Sequence, residues 1–308
     1  MIDPAGLGRL GLGCAPLGNL YRATGDDEAH ALVDAAWDRG VRLFDTAPLY
    51  GHGLSESRTG AALRGRPRDE YVLATKVGRL LVADDPGGPP APTIFEDVPA
   101  VHPEFDYSRD GVLRSIAESL ERLGLDRIDL VHVHDPDDHI REALAGAYPA
   151  LVQLRNEGVI GAIGLGTNHA HVAEHFVGVV DLDWLLLAGR HTLLEQTGTA
   201  ELFARCQELR VSVLAAAVFN SGILAEPVAG ARYDYAPAAP AVLARAQAMA
   251  ATCAAHGVPL AAAALQFPLR HPAVAMVLVG AGTAAEVHED AELLTLPIPD
   301  ALWTDLGL

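Results

Sequence analysis

The 308-residue chain has no uninterrupted apolar run longer than seven residues; those at 213–219 and 273–279 reach that length. A helix that crosses a bilayer needs about 20, so no membrane span is expected. Cysteine is scarce. Cys14, Cys206 and Cys253 are odd in number and far apart, which argues against a disulfide framework or a Cys-rich zinc site. The opening Met1-Ile-Asp-Pro-Ala-Gly has neither the basic stretch nor the apolar core of a secretory leader. A cytoplasmic protein is the expectation. Basic residues are few as well: 22 Lys and Arg stand against 40 Asp and Glu, a formal net charge of −18. Such a surface repels phosphate backbones and anionic lipids, so neither nucleic acid nor a membrane is expected as a partner.

What is present is ordinary for a globular protein, with half the residues hydrophobic and a fifth charged. The length suits one α/β barrel or two average domains. It is enough to bury a large core without staples. Short aliphatic runs predict strands at 10–13, 41–45, 71–76, 128–134, 160–164, 183–188, 211–217 and 274–280. Helical periodicity separates them. Over 110–123, Leu113, Ile116, Leu120 and Leu123 make one apolar stripe, with Ser108 or Asp110 as the cap and Gly124 as the stop. Residues 27–39 read the same way, ending at Gly40. Pro259 is expected in the first turn of a helix over 259–269, and the Ala-rich stretch 241–264 reads as tightly packed helix. Eight strand–helix units predict a single (β/α)8 barrel over residues 1–308. The competing doubly wound fold needs a Gly-rich strand–turn–helix, and Gly8-Arg-Leu-Gly-Leu-Gly13 is followed by residues with no helical pattern.

Reactive residues collect at one end of these strands. Asp45 ends the second, with Tyr50 five residues on. Lys76 ends the third and His134 the fourth. Asn168 follows the fifth, Arg190 the sixth, and Asn220-Ser221-Gly222 the seventh. In a barrel this is the face that carries chemistry. Two long connections, 79–108 and 225–240, fall on that face and are expected to shape the substrate pocket. Another reading of the fourth strand is a metal site. His132 and His134 point to the same side, as in amidohydrolase-like barrels, but the other strand ends supply no further ligand set. No metal is expected, and His132 is read as an interior residue one layer below the site.

The sequence resembles the aldo-keto reductase family. The resemblance rests on Asp45-Thr-Ala-Pro-Leu-Tyr50-Gly-His-Gly-Leu-Ser-Glu56, Ala74-Thr-Lys76, Val133-His134-Asp-Pro136 and Gly158-Val-Ile-Gly-Ala-Ile-Gly164 through Asn168. Within that family it is similar to the aldose 1-dehydrogenase branch, with its L-fucose and D-arabinose dehydrogenases and related pyridoxal 4-dehydrogenases. Lys76-Val-Gly-Arg79, His134-Asp-Pro, Ala188-Gly-Arg190 and Phe219-Asn-Ser-Gly-Ile-Leu224 carry that narrower likeness.

The resemblance implies hydride exchange between a small sugar or aldehyde and NAD, with the catalytic set Tyr50, Lys76, Asp45 and His134. The chemistry is consistent. A phenol of pKa about 10 needs help to move a proton near neutrality, and a Lys76 ammonium beside Tyr50 is expected to lower its pKa. Asp45 would hold Lys76, and His134 would bind the substrate oxygen. For the cofactor, the resemblance implies Asn168 at the carboxamide, with Thr167 before it where relatives have Ser. Arg190 is expected to touch cofactor or substrate, and His191, where the branch has Tyr, to stack on the nicotinamide. Asn220, Ser221 and Gly222 are expected around the pyrophosphate.

In NADP-using members, Lys, Ser and Arg after the eighth strand grip the 2′-phosphate, and Asn lies near the adenine. Here Gly280, Ala281, Glu286 and Asp290 stand at those positions, in the segment that includes Gly282. NAD is therefore expected to be preferred, with NADP less favoured. Two alternatives remain open at this point: a pyridoxal 4-dehydrogenase or general aldehyde/ketone reductase, and a nucleotide-binding regulatory subunit without turnover.

Overall fold

A computed structural model of the chain describes residues 2–85 and 92–308. Eight parallel strands close into a barrel: β1 (Leu10–Gly13), β2 (Leu43–Asp45), β3 (Val72–Val77), β4 (Ile128–His134), β5 (Ile160–Thr167), β6 (Trp184–Ala188), β7 (Ser212–Ala216) and β8 (Val274–Val279). Each pairs with its neighbours in sequence, and β8 closes on β1 through Leu10↔Val277 and Leu12↔Val279. This is the expected (β/α)8 barrel.

The strand limits differ from the predicted ones for local reasons. β2 starts at Leu43, because the Val41 N–H still bonds to Ala36 O at the end of helix α1 (Asp26–Asp38). β5 continues past Gly164 to Thr167. Glycine is a poor strand former alone, but Gly164 and Gly166 are held in register opposite His132 and His134 of β4.

The helices pack outside the strands. Of these, α2 (Leu54–Leu63) follows β2, and α3 (Arg109–Leu123) buries Ile116 and Leu123 of the expected stripe together with Val112, while Leu113 and Leu120 are only partly buried. Its cap is Ser108, whose hydroxyl accepts from Gly111 N–H, while Asp110 lies in the first turn. The Ala-rich segment is two helices, α4 (Pro240–Ala255) and α5 (Leu260–Gln266). Only Ala246 and Cys253 of α4 are buried, so this part is a surface helix rather than a tightly packed one. Pro259 is the cap preceding α5, outside the first turn, and α5 stops at Gln266 because Pro268 has no N–H to continue it. Helix α6 (Ala284–Leu293) follows β8. Among the described residues no single helix is long and apolar enough to cross a membrane.

Both long connections contain antiparallel ribbons. Arg79–Ala83 pairs with Val101–Phe105 in the first, and Arg232–Tyr233 with Ala236–Pro237 in the second. Residues 86–91 of the first lie outside the described residues.

Candidate active site

The two-residue period of a strand builds the site. On β4, Val131 and Val133 face the surrounding helices, while Leu130 joins the packed barrel interior. His132 and His134 therefore continue the Leu130 side, upward toward the mouth. On β3 the inward column is Ala74 then Lys76; on β2 it is Leu43 then Asp45. Apolar residues fill the lower barrel and charged ones occupy the last inward positions. A Cβ at Gly164 would lie 2.2 Å from His132 Nδ1, so β5 makes room for that ring by having no side chain there.

Lys76 is 1 % exposed and donates to Asp45 Oδ2 at 2.6 Å and to Thr46 O at 2.9 Å. Its Nζ lies 4.5 Å from the Tyr50 ring centre, and the Tyr50 and His134 rings meet edge-on at 5.9 Å. The four expected catalytic residues are thus brought together. Tyr50 is held by a close backbone contact. Gly51 has φ +61°, and a Cβ at Gly18 would come within 2.6 Å of Tyr50 C, so the loops after β1 and β2 lie backbone on backbone.

Electrostatics departs from the sequence reading at Tyr50. Its phenol is raised above its ordinary value, not lowered. Loss of solvent is the largest cause, the Lys76 charge pulls the other way, and the Asp45 charge adds to the rise. For Lys76, burial alone would lower the ammonium, but Asp45 and Tyr50 outweigh it and keep it charged. His134 falls well below the usual imidazole value through burial and the charges of Arg79 and Lys76; it is neutral near pH 7. His132, fully buried, is pushed down to about 3, and its Nε2 is 3.8 Å from Asp45 Oδ1.

The expected cofactor residues form two groups and one outlier. Arg190 Nε donates to Asn168 O at 2.7 Å, and Asn220 Nδ2 donates to Gly189 O at 3.2 Å. Asn220, Ser221 and Gly222 all have positive φ, and among the described residues the buried Asn220 Oδ1 has no hydrogen-bond partner. The second group is Gly280, Gly282 and Glu286 at the start of α6. The Thr283 hydroxyl accepts from Glu286 N–H, and Glu286 Oε2 accepts from Gly282 N–H at 2.8 Å. Glu286 is thus a capping residue of α6 as well as a candidate cofactor contact. Asp290 lies apart, buried beside Leu10, Leu12, Val41 and Val287 between barrel wall and helix. Burial, with Glu286 and Glu289 adding, raises it to about 7. His191 corrects the sequence reading. It turns away from the mouth into Phe203, Phe267 and His271, with ring centres 4.8, 5.1 and 6.0 Å away, because its ring completes an aromatic cluster under the helices. It is not placed to stack on a nicotinamide.

Several further residues at the mouth are assigned no role from the sequence. Arg22 pairs with Glu28 at 2.8 Å and donates to Gly282 O at 2.7 Å. Arg79 pairs with Asp135 at 3.0 Å. The ribbon at 232–237 is tethered over the mouth: Asp234 pairs with Arg190, Tyr235 N–H donates to Ser221 Oγ, and Arg232 lies 4.7 Å from the Tyr21 ring centre. Among the described residues, no three His, Cys, Asp or Glu side chains are grouped to hold a metal ion.

A model of the Aldo/keto reductase family matches residues 9–306. The chain is 47% identical to a D-threo-aldose 1-dehydrogenase of a Pseudomonas species, covering 97% of this chain and 92% of that one. It is 41% identical to a pyridoxal 4-dehydrogenase of Microbacterium luteolum, over 96% of this chain and 92% of the other. Among solved structures, a glycerol dehydrogenase from Gluconobacter oxydans superposes with a TM-score of 0.76 at 24% identity, covering 98% of this chain and 90% of that one. That last likeness concerns the fold.

Proposed function

Because the chain belongs to the aldo/keto reductase family, a family of NAD(P)-dependent oxidoreductases, we propose that it oxidises an aldose at C1 to the lactone, with NAD preferred over NADP. The observation that carries the reaction is the buried Lys76–Asp45 pair beneath Tyr50 and beside neutral His134. The substrate class is supported by the relative named as a D-threo-aldose 1-dehydrogenase.

A bound nicotinamide supplies the hydride acceptor. The donor set of this chain fits such a dinucleotide: Asn220 has an unused buried oxygen, and the positive-φ turn at 220–222 offers backbone N–H groups of the kind that cradle phosphates. Asn168, Arg190, Asn220, Ser221 and Gly222 would hold one part of it, and Gly280, Gly282 and Glu286 the other. The protein's own part of the chemistry follows from the site. Neutral His134 donates a hydrogen bond to the substrate hydroxyl oxygen and fixes it beside Tyr50. Tyr50 takes the hydroxyl proton. Lys76, kept charged by Asp45, stabilises the phenolate form of Tyr50 that accepts this proton, and the transfer leaves Tyr50 as the neutral phenol. NAD preference is supported by Glu286, a carboxylate in a segment with no Lys or Arg of its own from Gly280 to Asp290. Among the described residues, the arginines tied to this segment are already paired: Arg22, which reaches Gly282 O, with Glu28, and Arg39, which reaches His288, with Glu292.

The test is to mix protein and NAD with a panel of aldoses and with pyridoxal, following the NADH absorbance. Turnover of aldoses is expected. Turnover of pyridoxal alone would move the assignment to the second relative's chemistry, and NADH binding without turnover of any substrate would point to a regulatory subunit.

A further inference from the structure

Directly after His134 the backbone leaves the regions favoured by L-residues, with Asp135 at φ +41°. The turn is clamped from two sides. Asp135 N–H donates to Gly166 O at 2.8 Å. The Tyr107 hydroxyl lies 2.6 Å from His134 O and 2.9 Å from Asp135 O. The consequence is the aim of the carboxylate. It folds back so that Oδ2 is 3.5 Å from His134 Nε2 and 3.0 Å from Arg79 Nη2. Arg79 reaches it from the start of its ribbon because Gly78, at φ +109°, turns the chain where a Cβ would strike the Tyr107 ring at 2.1 Å. The guanidinium then rests on Phe105, 4.8 Å from the ring centre.

Both partners retain capacity. Among the described residues, buried Arg79 Nε has no acceptor and Asp135 Oδ1 takes no hydrogen bond. The pair also stands beside the imidazole that holds the reacting oxygen.

We propose that Asp135 and Arg79 together read the sugar hydroxyl on the carbon next to the one oxidised. This rests on the aldose reading above and names the groups that select for it. A hydroxyl both donates and accepts. Asp135 accepts its proton, and Arg79 donates to its oxygen. The 3.5 Å between Asp135 Oδ2 and His134 Nε2 is comparable to the spacing of oxygens on neighbouring carbons, so one substrate edge meets both. A substrate without that hydroxyl leaves the remaining acceptor and donor capacity of the Asp135–Arg79 pair unmet, a loss that polar pockets discriminate strongly.

The experiment compares kcat/KM for D-arabinose, its C2 epimer D-ribose, and 2-deoxy-D-ribose, which lacks the C2 hydroxyl. Wild type, Asp135→Asn and Arg79→Met are assayed with saturating NAD. Asn tolerates the left-handed backbone, and Met keeps the length of the Arg79 stem. Wild type is expected to favour D-arabinose over the deoxy sugar by about 10- to 100-fold, the worth of a hydrogen bond to a charged group. Each variant is expected to bring that ratio within about threefold of unity. NADH binding, followed by fluorescence, reports folding; should one variant fail to fold, the other carries the same ratio test. A wild type indifferent to the C2 hydroxyl overturns the proposal. So does a variant that slows all three sugars equally, since that is the signature of His134 positioning alone. Both outcomes leave the aldose reading intact, whereas a wild type that oxidises no sugar removes it along with the proposal.

Discussion

At Tyr50, burial raises the phenol and Lys76 is the group that opposes the rise. The two effects can be separated by substitution. Tyr50→Phe keeps the ring and removes the proton carrier, so turnover should fall by about 10²–10⁴, the usual worth of general acid–base catalysis, while NAD affinity measured by fluorescence changes little. Lys76→Met removes the charge that favours the phenolate. In the oxidation direction, activity rises as the phenol loses its proton, so the ascending limb of the kcat profile should move to higher pH. An unmoved limb would show that another group titrates. The residues themselves were legible in the sequence, because each ends a strand or sits in the turn that follows one. The direction of the Tyr50 shift was not, because it depends on how much solvent the assembled mouth removes.

At the scale of elements, α6 shows how one side chain serves two purposes. Thr283 and Glu286 form a reciprocal cap in which Glu286 reaches back to Gly282 N–H. Substituting Arg there would remove both the cap and the charge. Glu286→Gln separates them, since the amide oxygen still accepts from Gly282. Wild type is expected to favour NAD by at least about tenfold in kcat/KM, a factor equivalent to about 1.4 kcal/mol. In Glu286→Gln the ratio should fall while Tm holds, and in Glu286→Arg it should fall further with a lower Tm. Equal use of both cofactors by wild type would refute the assignment of this segment. The elements that escaped the sequence are the two ribbons on the long connections. The strand Val101–Phe105 contains Pro103, which reads against a strand. It pairs nonetheless, because a two-stranded ribbon has free edges that need no donor at that position.

For the molecule as a whole, acid is expected to be destabilising through buried imidazoles. His132 is pushed down to about 3 and His191 to about 4, in both cases chiefly by burial. An unfolded histidine takes up its proton near pH 6.5. Between that value and the folded ones, the unfolded chain binds more protons than the native protein, so stability falls as pH falls. For fully buried His132 the loss between pH 7 and pH 5 is about 2 kcal/mol. Urea midpoints for wild type and His132→Gln at the two pH values check this. The variant should lose about 2 kcal/mol less on acidification, and parallel losses would show that His132 is not a source of the effect.

The barrel and the charged edge at its mouth are consequences of patterns between near neighbours in the chain. Eight aliphatic runs with helical segments between them admit one closed parallel arrangement. A period of two carries Leu43 to Asp45, Ala74 to Lys76 and Leu130 to His134 on the inward side of that arrangement. Those relations hold wherever the strands pair, so they can be read from sequence alone. The tertiary structure decided what depends on distant parts of the chain meeting. His191 turned outward because Phe203, Phe267 and His271 gather beneath it. Asp290 sank between helix and barrel wall, where its neighbours are apolar. Arg22 reached Gly282, 260 positions away, and Arg79 met Asp135 across two connections. No local periodicity encodes such contacts, because they are set by how loops of unrelated sequence close over a common mouth.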